Sequence, residues 1–128
     1  MVMKWINSTP KEDTECGIDY WLSKGDTKLP VLYRERYVSI HKWGDISIRY
    51  PSEYNKFING TIEADLYIFA FTDAVIFCLT ADISSYLKSK LPYQIYPNND
   101  GTKGCYIPIT QIPHLLQTIS RSCERMRW

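Results

Sequence analysis

Hydrophobic and polar positions fall into segments that predict a mixed α/β fold. A period of two over residues 45–50 predicts a half-buried strand. Two continuous apolar runs, 66–71 and 74–79, predict a buried antiparallel pair joined by a tight turn. Apolar residues at helical spacing predict helices over 51–60 and 82–91. The centre of the chain therefore supplies both strands and helices for one core.

The N-terminal part is predicted to be helical. Residues 2–6 place apolar side chains on one helix face. Thr9 followed three residues later by Glu12 is a capping-box pattern, and Gly17 is typical of a helix end. The short helix between them would carry three acids, Glu12, Asp13 and Glu15.

The remaining elements complete the predicted order α–β–β–β–α–β–β–α–β–α. Strands are predicted over residues 18–22 and 29–39 as a hairpin, and over 105–109 near the end. A last helix is predicted from Thr110 through Ile119. The order indicates a mixed central sheet with an early three-strand meander, flanked by helices.

Length and composition narrow the class of protein. The 128 residues suffice for one domain with its own core, and 45% hydrophobic with 23% charged residues is ordinary for a globular fold. A net charge of +1 argues against a generic basic nucleic-acid coat but leaves room for a local basic groove. Aromatic residues reach 14%, which suits either core packing or stacking on bases. We expect an intracellular protein without membrane contact.

Several chemistries find no support in the residue spacing. The four cysteines contain no C-x-x-C pair, which disfavours a zinc site and predicts free thiols in a reducing compartment. No Gly-rich phosphate loop and no Gly-x-Ser-x-Gly motif occurs. His41 and His114 are far apart; we expect a structural role for His114, one turn into the last helix, and a surface position for His41 in a polar turn.

The segment from Glu12 to Arg36 is chemically distinctive. Acids on a predicted helix precede Asp19 on a predicted strand, and the next strand carries basic residues in alternation. Metal-assisted phosphodiester cleavage uses this combination, because carboxylates hold Mg²⁺ and a nearby cation stabilises charge in the transition state.

Gly17-Ile18-Asp19-Tyr20, a turn, and then residues 31–36 resemble the core of PD-(D/E)xK nucleases. In that family a strand of the G-I-D type is followed by a hairpin partner that reads acid-x-Lys. The resemblance covers residues 10–79 in order. It implies a restriction-endonuclease-like core, a metal-dependent DNA endonuclease activity, and Mg²⁺ as the cofactor, with Mn²⁺ as a substitute.

The resemblance assigns roles to individual residues. Asp19 matches the first metal-binding aspartate and Arg34 stands where the family has its catalytic lysine. Arginine keeps the charge and binds phosphate in a bidentate way, but it does not serve as an acid or base. Arg36 matches the trailing basic residue that positions the DNA backbone.

The second acid departs from the family pattern. Leu32 occupies its position and cannot bind metal. Glu35 is acidic, but strand alternation places it on the other face from Arg34 unless a bulge turns it round. Otherwise Glu12 or Glu15 of the preceding helix would complete the metal site, as a helix glutamate does in some family members.

A basic stretch interleaved with aromatic residues suits either a phosphate-contacting surface or an ordinary solvated sheet face. Its members for DNA binding, besides Arg36, are Lys24, Lys28, Lys42 and Arg49. The absence of a separate recognition region within these 128 residues resembles small phage or mobile-element nucleases, for which a homodimer is expected.

Three interpretations of this segment stay open at the level of sequence. The chain is a variant nuclease, or it is an inactive nuclease fold that binds DNA or a host protein. In the third interpretation the hairpin is only structural, and Asp19 pairs across it with Arg34 or Arg36.

Overall fold

The computed structural model describes residues 4–89, 95–98 and 101–119, which form two β-sheets and three α-helices. The strands are β1 (Lys4–Asn7), β2 (Tyr20–Lys24), β3 (Thr27–Glu35), β4 (Asp45–Tyr50), β5 (Leu66–Ala70), β6 (Ala74–Leu79), β7 (Ile95–Pro97), β8 (Lys103–Pro108) and β9 (Leu116–Ile119). The helices are α1 (Ile40–Trp43), α2 (Ser52–Asn59) and α3 (Thr80–Ser89). The predicted mixed α/β class is confirmed.

The larger sheet has six strands in the order β1-β2-β3-β5-β6-β9. The pairing of β3 with β5 is parallel, and Val31 lies opposite Leu66 at its start. The other neighbours pair antiparallel, including the predicted hairpin of β2 with β3 and the predicted buried pair of β5 with β6. The parallel pairing makes the sheet mixed and brings the end of β3 beside the centre of the chain.

The smaller sheet has three strands in the order β4-β8-β7, all antiparallel. The prediction that the strand at 45–50 completes an early meander is therefore wrong. β3 gives its free edge to β5, while β4 pairs with β8 some 60 residues later, from Asp45 opposite Pro108 to Tyr50 opposite Lys103.

The main core lies between one face of the large sheet, helices α2 and α3, and the small sheet. Phe57 of α2 stacks on Tyr67 of β5, which stacks in turn on Phe69, with ring centroids 6.3 and 4.2 Å apart. Ile46 and Ile48 bring the small sheet into the same cluster. This core fixes α2 against the end of β3, where the candidate site lies.

The other face of the large sheet carries a second apolar cluster that includes Val31, Ile68 and Val75. Trp5, Tyr20 and Tyr33 pack against this cluster. Their three rings contact one another edge to face, with centroids 5.1–6.1 Å apart. Trp5 belongs to β1, so the predicted helix over residues 2–6 is wrong for its described part, residues 4–6. A strand forms there because β1 gains a backbone partner in β2.

The capping box predicted at the N-terminus is confirmed. Thr9 N–H donates to Glu12 Oε1 at 2.8 Å, and Glu12 N–H donates to Thr9 Oγ1 at 3.2 Å. The turn over Glu12–Cys16 is a π-helix, which is wider than the α-helix predicted. Gly17 ends it at φ 65°, a left-handed conformation that favours glycine, and a Cβ there would lie 2.6 Å from Ile62 Cδ1, so the end of that side chain would have to move.

The C-terminal prediction of a helix from Thr110 to Ile119 is wrong. A 3₁₀ turn over Ile109–Gln111 is followed by β9, which pairs with β6. His114 therefore lies in a turn, where its Nδ1 is 3.0 Å from Asp82 Oδ2. The end of the helix predicted over residues 82–91 lies outside the described residues.

The cysteines that the structure describes, Cys16, Cys78 and Cys105, are free thiols. Cys123 lies outside the described residues. Burial raises the pKa of Cys78 to about 12 and that of Cys105 to about 11, so both stay protonated at neutral pH.

Within the described part of the chain, no helix has the length and apolar character needed to cross a membrane.

Candidate functional site

A polar cleft of about 920 Å³ opens where the ends of β1 and β3 meet the start of β2 and helix α2. Seven charged side chains line it: Asp13, Asp19, Arg34, Glu35, Arg49, Glu53 and Lys56. They come from the π-helical turn, the start of β2, the end of β3, β4 and α2, so the fold gathers them from across the first half of the chain.

Asp19 is a half-buried carboxylate in the wall of this polar cleft. Its backbone N–H donates to Val31 O at 2.9 Å, and Tyr33 N–H donates to its Oδ2 at 2.9 Å. The hairpin thus holds the side chain over β3. Burial raises the pKa of Asp19 to about 6, against the lowering effect of the Tyr33 N–H, and the neighbouring Asp13 and Glu53 add to the rise.

Asp13 faces Asp19 from the π-helical turn. Both side chains line the cleft, and Asp13 contributes to the raised pKa of Asp19. Asp13 is exposed, whereas Asp19 is half-buried, so the pair spans from the mouth of the cleft to its wall. Two facing carboxylates repel each other when both are ionised, and a bound cation would relieve that repulsion.

Glu53 of α2 joins the remaining walls of the cleft. Its Oε1 accepts from Arg34 Nη2 and from the Arg49 backbone N–H, both at 3.0 Å. Its Oε2 accepts from Tyr67 Oη at 2.7 Å. Burial raises the pKa of Tyr67 well above its usual value, so this phenol remains a donor. Glu53 is therefore a structural acceptor with both oxygens engaged.

Two further cations line the cleft. Lys56 lies one turn after Glu53 on α2, and its Nζ donates to Thr14 O at 2.9 Å. Arg49 is exposed on β4, and among residues 4–89, 95–98 and 101–119 no carboxylate lies within 4.0 Å of its guanidinium. Positive charge is thus available beside the Asp13–Asp19 pair without breaking an ion pair.

Of the three residues predicted to help Asp19 bind metal, Glu12 and Glu15 lie outside the cleft and Glu35 lines it. Glu12 caps its own turn, and its Oε2 accepts from Trp21 Nε1 at 3.3 Å. Glu15 is exposed and lies 4.0 Å from Lys11. Neither belongs to the lining of the cleft. Glu35 does line it, on the Tyr33 side of β3, where Tyr33 Oη donates to Glu35 Oε1 at 3.4 Å.

The predicted DNA-binding residues lie in different parts of the structure. Arg36 has a side chain only 10% exposed, held by Asp45 through bonds of 3.0 Å to its carbonyl and 3.2 Å to Oδ1. Lys24 and Lys28 are exposed on the far part of the β2–β3 hairpin and do not line the cleft. Arg49 is exposed and lines the cleft, whereas Lys42 is exposed beside Trp43 and does not line it.

The cross-strand ion pair that would make the hairpin purely structural is absent from the described residues. Arg34 pairs with Glu53 and Arg36 pairs with Asp45, so neither guanidinium is bound to Asp19. Asp19 instead has one backbone donor and a like-charged neighbour. That leaves the carboxylate suited to bind an external cation.

The donor set is compatible with Mg²⁺. In the part of the chain that the structure describes, no group of three His, Cys, Asp or Glu side chains is arranged around a common metal position. Mg²⁺ does not require one, because it is usually bound by one or two carboxylates together with waters and substrate phosphates. Asp13 and Asp19 supply two carboxylates of this kind.

Asp13, Glu53 and Lys56 are the charged cleft residues that the sequence interpretation did not select. Asp13 was within the predicted acidic helix, but α-helical spacing does not show which acid of such a turn faces the next strand. Glu53 and Lys56 lie on a predicted helix whose position against β3 depends on long-range pairing. Their three-residue spacing on one helix face was the available signal.

The burial of Asp19 should make the free energy of unfolding depend on pH. Its raised pKa means that the folded state holds a proton more tightly than the unfolded state, so the wild type loses stability as pH rises from about 4 to about 6. Asp19→Asn carries no such charge and still accepts from Tyr33 N–H. We expect the variant to match the wild type near pH 4 and to exceed it by about 1–2 kcal/mol above pH 6, allowing for partial solvent screening.

Urea unfolding of both proteins across this pH range measures the effect. Glu15→Gln is the matched control, because it removes an exposed carboxylate from the neighbouring π-helical turn. A stability difference for Asp19→Asn that does not change with pH would show that Asp19 is well solvated.

The chain matches no family model, no curated protein and no solved structure. Its function is therefore inferred from the geometry of the cleft.

Proposed function

We propose that this chain is a metal-dependent endonuclease that cleaves phosphodiester bonds of DNA in the polar cleft, with Mg²⁺ held by Asp13 and Asp19. The observation that carries the proposal is the facing pair of carboxylates in a cleft that also contains Lys56 and Arg49. Paired carboxylates beside cations match a reaction in which a phosphate must be both bound and attacked.

Each side chain has a physical role in this proposal. Asp19, held by the Tyr33 N–H, provides the fixed carboxylate, and Asp13 on the exposed turn provides the second. Bound Mg²⁺ would polarise the phosphate and lower the pKa of its bound water. The remaining work falls to the chain, which must bind and orient the phosphodiester and neutralise its charge.

Lys56 and Arg49 are the residues proposed to neutralise that charge. Lysine is a compact charge that contacts one phosphate oxygen, and the Arg49 guanidinium forms bidentate contacts. Arg34 keeps its full charge beside Glu53 and adds a structural rather than a catalytic contribution, because its Nη2 is already engaged. In this proposal Lys56 therefore has the role of stabilising the phosphate, which the sequence interpretation gave to Arg34.

The proposal includes membership of the PD-(D/E)xK nucleases as a divergent form. Asp19 at the start of a hairpin and the parallel β3–β5 pair support this, and Mn²⁺ would substitute for Mg²⁺. Leu32, in the family's acid position, is buried in the main core, so Asp13 is proposed to supply the missing carboxylate. A homodimer, as in enzymes that cut both strands, remains part of the expectation.

A second candidate is a non-cleaving protein of the same fold that binds DNA or a host protein. The observation in its favour is the Arg34–Glu53 ion pair, which occupies the position where the family has a free lysine. Under this candidate the cleft binds phosphate without a metal, and the Asp13–Asp19 pair has no catalytic consequence.

Cleavage of DNA by the purified full chain separates the two candidates. We expect single-stranded, duplex or branched DNA to be cut with Mg²⁺ or Mn²⁺ and not with EDTA, and we expect Asp19→Asn, purified in the same way, not to cut. The Asn variant controls for a contaminating nuclease. Equal cutting by wild type and Asp19→Asn, or no cutting of any substrate, would reject the enzyme.

A further inference from the structure

A second groove of about 870 Å³ continues from the polar cleft across the end of β3. Arg34, Glu35, Tyr37 and Arg49 line both spaces, so a chain-like ligand could pass from one into the other. The second groove then runs between α1 and the small sheet. We call it the aromatic groove, defined by Tyr37, Trp43 and Tyr96.

The three rings that define the aromatic groove are unusually exposed. Tyr37 is 84% exposed, Trp43 60% and Tyr96 51%, although they come from separate segments after β3, in α1 and in β7. Elsewhere in the described chain, aromatic rings such as Phe57, Tyr67 and Phe69 fill the core. Large exposed rings that converge on one groove indicate a binding surface.

Cations accompany the rings. Lys42 Nζ lies 4.5 Å from the centroid of the Trp43 ring, within cation–π range. Exposed Arg49 sits at the junction of the two spaces. Arg36 also lines the groove, but Asp45 neutralises it. The surface therefore combines flat π-faces with positive charge, which is the combination that binds unpaired bases and their phosphates.

We infer that the aromatic groove binds an unpaired stretch of the nucleic-acid substrate next to the bond that is cut. This inference rests on the proposed function and specifies its substrate class. In a duplex, the faces of the bases are covered by their neighbours, so exposed rings gain stacking partners only where bases are unpaired. Continuity with the cleft through Tyr37 and Arg49 favours a substrate over a separate protein partner.

Binding in EDTA tests the inference without cleavage. The probes are fluorescently labelled oligo-dT of about 20 nucleotides, a blunt duplex of the same length and a fork with unpaired arms, all at one salt concentration. We expect oligo-dT and the fork to bind more tightly than the blunt duplex. Tyr37→Ala and Trp43→Ala should each weaken oligo-dT binding by about 5- to 100-fold.

The controls keep the ring or lie elsewhere. Tyr37→Phe and Trp43→Phe retain a stacking face and should bind within about threefold of wild type. Leu116→Ala removes an exposed apolar side chain from the far edge of the large sheet and should not change binding. Oligo-U of the same length is measured alongside oligo-dT to distinguish RNA from DNA. Ring-dependent binding of either supports the inference, and the one that binds more tightly identifies the sugar of the ligand.

Two outcomes would overturn the inference. One is oligonucleotide binding that falls with Lys42→Ala but stays within twofold of wild type in Tyr37→Ala and Trp43→Ala. The other is ring-dependent self-association in sedimentation without nucleic-acid binding. Either result leaves the proposed function standing if Asp19-dependent cleavage persists. Ring-dependent binding without any cleavage would instead support the groove and reject the enzyme.

Discussion

Replacing Glu53 by alanine should lower the free energy of unfolding by about 3–5 kcal/mol. One carboxylate accepts from the Arg34 guanidinium, the Arg49 backbone and the Tyr67 hydroxyl. The side chains of Arg34 and Glu53 are only 18% and 14% exposed. Alanine would leave a largely buried cation unpaired and the Tyr67 hydroxyl without its acceptor, and each of these is costly.

Chemical unfolding of a small set of variants separates charge from geometry. Glu53→Gln keeps the shape and can keep hydrogen bonds to the same neighbours, so its smaller loss reports the charge. Asn55→Ala, exposed on the same helix, should change stability by less than about 0.5 kcal/mol. Arg34→Met combined with Glu53→Met should recover part of the loss, because removing both charges leaves neither unpaired.

A loss below about 1 kcal/mol for Glu53→Ala would contradict this account. It would mean that water reaches Arg34 as readily as at a surface ion pair. The same measurement bears on function, since a rigid Arg34–Glu53 pair is what removes Arg34 from the list of free cations in the polar cleft.

Asp13→Asn and Asp19→Asn should each lower metal-dependent cleavage by about 10³-fold, and the double variant should be little worse than either. The reason is that the two carboxylates are proposed to hold one ion, so losing one already removes most of what the pair contributes. A 10³-fold loss corresponds to about 4 kcal/mol of transition-state stabilisation. Single-turnover cleavage with saturating Mg²⁺ and again with Mn²⁺ measures it.

Glu12→Gln and Glu15→Gln are the matched controls for this experiment. They remove neighbouring carboxylates of the same π-helical turn, and glutamine preserves the capping box at Glu12. Both should cleave within about threefold of wild type, an ordinary spread for residues outside the site. If Glu12→Gln or Glu15→Gln lost cleavage while Asp13→Asn kept it, the second metal ligand would be Glu12 or Glu15 rather than Asp13.

A thermal-shift measurement tests metal binding by Asp13 and Asp19 independently of catalysis. Mg²⁺ or Mn²⁺ should stabilise the wild type and Glu15→Gln, and should stabilise Asp13→Asn and Asp19→Asn much less, because a ligand stabilises only the state that binds it. Equal stabilisation of all four proteins would place the ion away from this pair.

Local signals predicted the elements whose ends are encoded by a few adjacent residues. The Thr9–Glu12 capping box, the end of the turn at Gly17 and the end of α2 at Gly60 all form as expected. The apolar runs of β5 and β6 pair as expected, because a tight turn leaves them little choice of partner. Short-range hydrogen bonding and φ preference are properties of the sequence itself.

The same signals failed where a short apolar segment had to choose between helix and strand. Residues 4–7 and 116–119 form strands at the two edges of the large sheet, although helices were predicted. Each segment is only four residues long, and its backbone is satisfied by a neighbouring strand rather than by itself. Residues 2–6 are too few for periodicity to distinguish the two states, whereas the helical spacing over residues 110–119 was overridden by the pairing of β9 with β6.

Asp19 was identified from sequence because its neighbours, a glycine before it and a hairpin after it, are local. The sequence by itself also determined that acids and bases would be concentrated in the first half of the chain. Which of them meet was decided only by tertiary structure. The π-helical turn selects Asp13 over Glu12 and Glu15, and the parallel β3–β5 pairing with the packing of α2 brings in Glu53 and Lys56. Register and packing between distant segments depend on the whole core, so no local pattern contains them.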